Sequence, residues 1–171
     1  MNRIWISLII VSIALGACSH GKKDMLEQIA KAEKAVKSGD NSQKQELRDM
    51  YMEYARKFSD EKDAAIKMFN ACLMEYQDGK SRNAVVLLDE MVNLFPDAEV
   101  AAEGLFLKGY IFEVNLLELD SAKICYELFM KKFPKHDRAN DVRISLDNLG
   151  KSPEQLLKQQ LAMQPQDSVP Q

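Results

Sequence analysis

Glycine and proline are scarce in this chain of 171 residues, at 7 and 5 respectively. A sandwich or barrel of many short strands needs more of both at its turns, and no long stretch alternates β-branched with polar residues. Histidine is scarcer still. His20 and His136 are the two present, and neither has a second histidine at ligand spacing, which excludes the usual zinc hydrolase motifs. No basic patch is interleaved with aromatics and the net charge is −3, which argues against nucleic acid as a partner. Acidic residues are scattered, with no isolated carboxylate pair suited to acid–base work. Gly79-Lys80-Ser81 ends like a phosphate loop, but the position that should hold its first glycine is Met74, so the triplet reads as a turn. With no catalytic constellation in view, the chain is not expected to be an enzyme, and no cofactor is implied.

What remains is a composition of helix formers. Hydrophobic residues make up 46% and charged residues 29%, which suits a folded all-α body. Apolar residues at Met25, Ile29, Ala32 and Val36 predict a first helix. A second runs from about Gln43 to Phe58, a third from Lys62 to Gln77, and a fourth from Ser81, read as its cap, to Phe95 before Pro96. The third places Ala65, Phe69, Cys72, Leu73 and Tyr76 inward. The fifth, about Ala98 to Val114, is apolar almost all round and therefore central. The sixth runs from Asp120, read as its cap, to Phe133, and the seventh from Asp137 to Leu149 with Ala139, Val142, Ile144 and Leu146 inward. Ser152-Pro153-Glu154-Gln155 is a capping box that starts a final helix, whose Leu156, Leu157 and Leu161 are expected to shield the end of the body. Gln164–Gln171 is read as a disordered tail.

The helices repeat. A shift of 38 residues superposes Ala84 on Ala122, Leu88 on Tyr126, Met91 on Phe129 and Phe95-Pro96 on Phe133-Pro134. A shift of 37 superposes Tyr51 on Leu88, Tyr54 on Met91 and Phe58 on Phe95. Asn115–Leu119 carries the extra residue. Units of this length cannot bury their apolar faces alone and stack on neighbours.

Within the last pair, Leu105, Gly109 and Phe112 are followed by Ala122, Tyr126, Phe129 and Pro134. This resembles the tetratricopeptide pattern, although Lys108 stands where leucine is usual. The resemblance implies a right-handed α-solenoid of about three helix pairs with C-terminal capping helices, over residues 24–163. In that family the first helix of each pair lines a concave groove for a peptide or partner helix. Carried over by position, the groove residues are Phe69, Leu73 and Tyr76 on the third helix and Glu103, Phe106, Tyr110 and Glu113 on the fifth. Plain core packing is the alternative for each aromatic.

Residues 1–17 read as a signal peptide. Arg3 precedes an apolar run, Ile4–Leu15, whose helical length of ~18 Å falls short of the ~30 Å hydrocarbon core. The sequence Leu15-Gly16-Ala17-Cys18 resembles the bacterial lipoprotein box. The resemblance implies that Cys18 carries a thioether-linked diacylglycerol and an acylated amine, that residues 18–23 form a lipidated tether, and that Ser19 directs the protein to the outer membrane, on its periplasmic face. Two or more acyl chains anchor stably. Cys72 and Cys125 remain, either as buried thiols or as a disulfide.

The chain as a whole resembles the tetratricopeptide lipoproteins of the bacterial envelope. The function this implies is a lipid-anchored scaffold that binds envelope proteins during outer-membrane protein assembly. Coordination of peptidoglycan synthesis or cell division is the alternative.

Overall fold

The computed structural model describes residues 21–163, so the leader, Cys18 and the tail lie outside the described residues. Among the described residues every regular element is helical. The first helix, α1, covers residues 21–37. It is followed by α2 (Lys44–Lys57), α3 (Ala64–Gln77), α4 (Ser81–Leu94), α5 (Glu99–Tyr110), a π turn (Ile111–Asn115), α6 (Leu119–Lys132), α7 (Ala139–Asn148) and α8 (Pro153–Met163). Residues 21–23, assigned above to the tether, are helical, and Lys22 Nζ reaches Glu61 Oε1 at 2.6 Å. The chain divides into two units, Met1–Ala101 and Ala102–Gln171.

In the first unit, α2 packs on α3 and α3 on α4. The core comprises Ile29, Leu47, Tyr51, Tyr54, Met68, Cys72, Leu88 and Met91 with a set of alanines that let the helix backbones approach. Glycine ends two of these helices. Gly39 (φ +98°) and Gly79 (φ +75°) adopt the left-handed conformation that side chains resist. At Gly79 the Lys80 N–H bonds to the Glu75 carbonyl and the Gly79 N–H to that of Tyr76, which is a Schellman closure. Asp40 and Gly39 bond back to Ala35 and Val36 in the same way.

In the second unit, α6 packs on α7 and on the π turn. Leu105, Ile111, Ala122, Tyr126, Phe129 and Val142 form the core. Gly109 is where α5 meets Tyr126: a Cβ there would lie 2.4 Å from a carbon of the Tyr126 ring. The capping box at α8 forms, with the Ser152 N–H bonded to Gln155 Oε1 at 2.8 Å and the Gln155 N–H to Ser152 Oγ at 3.3 Å.

Three junctions share one backbone geometry. Helices α2, α4 and α6 each end on phenylalanine: Phe58 (φ −125°, ψ 46°), Phe95 (φ −126°, ψ 56°) and Phe133 (φ −127°, ψ 51°). Each carbonyl then accepts from the N–H three residues on, at Glu61, Ala98 and His136. Those three residues in turn accept from Ala64, Ala101 and Ala139, all buried. Proline follows Phe95 and Phe133, where it stops the helix. Ser59 follows Phe58 with the same backbone result, so proline is not required for the turn, and a buried alanine six residues after each phenylalanine is common to all three.

Four sequence expectations are corrected. Ser81 is not a cap: Lys80 holds that position without a side-chain bond, because the Schellman closure leaves one pivot residue between α3 and α4. Asp120 lies in the first turn of α6, capped at Glu118, because the extra residue is absorbed upstream as the π turn. Ile144 is exposed, since α7 buries Ala139 and Val142 and turns the next residues outward. Leu157 and Leu161 are likewise exposed, while Leu156 is half-buried.

Candidate functional site

On α3 the buried face is Ala64, Ala65, Met68, Ala71, Cys72 and Glu75. Phe69, Leu73 and Tyr76 follow one another at four and three residues, which places them on a single stripe beside that face. All three are half-buried rather than inward, so they belong to neither the core nor the fully solvated surface. Ile66, three residues before Phe69 and 50% exposed, extends the stripe. Sequence reasoning passed over Ile66, although its spacing was the signal.

The same register recurs 37 residues later as Glu103, Phe106, Tyr110 and Glu113. Three of these have partners within their own unit. Glu103 Oε2 accepts from Arg138 Nε at 2.6 Å, and the Arg138 guanidinium lies 4.9 Å from the centroid of Phe106. Glu113 Oε2 accepts from the Tyr126 hydroxyl at 2.7 Å. Burial, reinforced by Glu113, pushes the Tyr126 hydroxyl well above the usual phenol range. Tyr110 is 38% exposed. Arg138, missed in the sequence, converts an acidic and aromatic stripe into one that also presents a cation. Its N–H donates to His136 Nδ1 at 3.2 Å, and His136 packs edge-on to Phe129. The imidazole is thus built into the α6–α7 junction.

A buried charge lies behind the α3 stripe. Glu75 is 3% exposed and accepts from Arg48, from Asn83 Nδ2 at 3.3 Å, and sits 3.7 Å from Lys80 Nζ. This network joins α2, α3 and the start of α4. Cys72 and Cys125 are buried thiols, and burial pushes the Cys72 thiol up to about 12, too high for a nucleophile at neutral pH.

Among the described residues no three His, Cys, Asp or Glu side chains are grouped to hold a metal ion. No helix among them is long and apolar enough to cross a membrane. The chain matches no protein-family model, and comparison with curated proteins finds no match.

The arrangement is suited to binding. Each stripe, within its own unit, offers apolar area, aromatic and aliphatic on α3 and aromatic with two carboxylates and one arginine at the edge in the second unit, and such area can hold a peptide or helix by apolar contact and, in the second unit, by charge-assisted hydrogen bonds.

Proposed function

We propose that this chain is a lipid-anchored scaffold of the bacterial envelope, a right-handed solenoid of tetratricopeptide-like helix pairs that binds partner proteins through the stripes of α3 and α5. The observation that carries this reading is the recurrence of one stripe at the edge of the core, Ile66, Phe69, Leu73 and Tyr76 on α3 and Glu103, Phe106 and Tyr110 on α5 with Glu113 in the π turn that follows. The shared geometry at Phe58, Phe95 and Phe133 supports the solenoid. Turns of one form between successive helix pairs are what a stacked array of repeats requires.

Cys18 is the proposed lipid attachment site, with the body held at the periplasmic face of the outer membrane. The proposed partners are envelope proteins that take part in outer-membrane protein assembly.

Two experiments test this. Mass spectrometry of the native protein should find residues 1–17 removed and Cys18 acylated, and Cys18→Ser should release the protein from membranes. A crosslinking pull-down from membranes should recover β-barrel assembly subunits, and F106A/Y110A together should abolish that recovery with helicity unchanged. Recovery of cell-wall synthases instead would point to coordination of peptidoglycan synthesis. Equal recovery by the double variant would remove the stripe from the account.

A further inference from the structure

Helix α1 begins at residue 21, three positions after the lipid attachment proposed at Cys18. Three residue steps reach at most ~11 Å. A lipid on Cys18 therefore keeps the first turn of α1 near the headgroups, at a distance comparable with the Debye length of ~10 Å.

One side of α1 buries Ile29 and Ala32. On the other side Lys23, Glu27, Ala30, Lys34 and Lys37 are all exposed. Their spacing of four, three, four and three residues sets them in one line along the helix, ~21 Å long. Lys31 is exposed beside this line, at the edge of a shallow groove that Asp40 and Glu46 also line.

These lysines lack the counter-charges that other lysines of the first unit have. Lys22, Lys67 and Lys80 have carboxylates at 2.6, 3.4 and 3.7 Å. Among the described residues no ion pair holds Lys23, Lys31, Lys34 or Lys37. The neighbouring carboxylates are engaged. Glu33 accepts from the Tyr51 hydroxyl at 2.8 Å, Asp40 accepts from Ser42, and Asp24 has an interaction of its own. Glu27 is the one carboxylate in the line.

The signs are also segregated. Residues 21–37 carry five lysines and three carboxylates, whereas residues 38–101 of the same unit carry eight cations and thirteen carboxylates. Interspersed signs serve solubility equally well. Segregated signs orient a molecule in a field. An acidic protein and an anionic bilayer both complement the basic face, and the tether decides between them, because it keeps the bilayer within reach of α1.

We infer that the Lys23–Lys34–Lys37 face of α1, with Lys31 at its edge, lies on anionic lipid headgroups, so that α1 runs along the bilayer and orients the first unit on it. This rests on the anchor proposed at Cys18 and adds a second, electrostatic attachment to it. It does not involve the stripes.

The test inserts the native lipidated protein into vesicles of phosphatidylcholine, alone or with about a third phosphatidylglycerol. The acetylation rate of each lysine is then measured by mass spectrometry. Flotation with the zwitterionic vesicles reports the anchor separately from the face. On anionic vesicles Lys23, Lys31, Lys34 and Lys37 should slow by about threefold or more and recover at about 0.5 M salt. Lys67 and Lys80, held by their own carboxylates, should keep their rates. K23Q/K34Q/K37Q should leave flotation and the thermal midpoint unchanged while returning Lys31 to its rate on zwitterionic vesicles. K23R/K34R/K37R should keep Lys31 slow. Equal rates on both vesicles, slowing of every lysine alike, or a Lys31 still slow in the glutamine variant would overturn the proposal. So would slowing by soluble polyglutamate and not by anionic lipid, which would assign the face to an acidic protein. A protein that floats with neither vesicle has neither anchor nor basic face at work. One that floats only with anionic vesicles, and is released by salt, loses the anchor and keeps the face.

Discussion

The α3–α4 hairpin of the first unit and the α5–α6 hairpin of the second occupy the same place in the repeat and are built differently. Where the first has Cys72 and Leu88, both fully buried, the second has Gly109 and Tyr126. One position loses a side chain and the facing one gains a ring, so total volume is roughly conserved, as a close-packed interior requires. Where the first has the buried Glu75, the second has Phe112, half-buried and needing no counter-ion. Where the first closes on Gly79, the second closes on a π turn and a strained Leu117. Equivalent helices can thus keep one backbone plan while exchanging charge for ring and small for large, provided that each exchange is matched by its neighbour.

The largest test of that matching is at Glu75. Arg48→Ala leaves a carboxylate at 3% exposure with only Asn83 and the more distant Lys80 as partners. Breaking such a pair from one side is expected to cost about 3 kcal/mol or more, read from urea unfolding with an unchanged slope. Replacing both members by apolar residues, R48M with E75L, should recover most of the loss. A cost for R48A of under about 1 kcal/mol, the scale of an exposed pair, would mean that Lys80 and Asn83 suffice and that the two hairpins differ less than the burial implies.

Next in size is the exchange of Gly109 and Tyr126. Gly109→Ala places a methyl 2.4 Å from the Tyr126 ring. Overpacking costs about 1–3 kcal/mol, less up to about 1 kcal/mol from the better helix propensity of alanine. In a Y126L background, which restores the leucine found at position 88, the same substitution should be neutral or stabilising. The coupling between the two sites, obtained from a double-mutant cycle, should exceed about 0.5 kcal/mol. Additive effects would show that the compensation is coincidental.

Much of the helical plan was legible in the sequence, and the unread parts share a physical cause. The recurrence of Tyr51, Tyr54, Leu88 and Phe129 at one register, the stops at Phe95-Pro96 and Phe133-Pro134, the Gly79 turn and the Ser152–Gln155 capping box are all readable as sequence patterns. Glu75 was not legible, because one glutamate in a helix looks like part of a solvated face until an arginine 27 residues away is known to meet it. Arg138 was missed for the same reason: its partners Glu103 and Phe106 are more than thirty residues distant. The shift from 37 to 38 residues revealed an insertion but not its form as a π turn. Spacing also fails at Leu157 and Leu161, since periodicity identifies an apolar face and says nothing of whether a neighbour covers it. The stripe of α3 falls between these cases. Its register was readable, and its half-burial was not.

The smallest expected effect separates the exposed ion pairs of the two units. Arg56 holds Glu90 by two bonds, Nε to Oε1 at 2.6 Å and a terminal nitrogen to Oε2 at 2.8 Å, and this holds the Glu90 carboxyl below its usual range. Both side chains are more than a third exposed, so solvent screening limits the pair to about 0.2–1 kcal/mol. Because the folded pKa of Glu90 is lowered, the contribution is complete above the unfolded carboxylate value and is lost as pH falls through the folded one. The penalty of R56A should therefore shrink toward zero in acid. Arg138 bonds Glu103 through one nitrogen and stacks on Phe106. The attraction of a guanidinium for a ring, about 0.5–1 kcal/mol at exposed sites, does not require an ionised carboxylate. The penalty of R138A should accordingly persist in acid where that of R56A disappears, and R138K, which cannot stack its charge flat on the ring, should lose that residue of stability. Parallel acid profiles for R56A and R138A would show that Phe106 contributes nothing to holding Arg138, and that the arginine is available to a ligand.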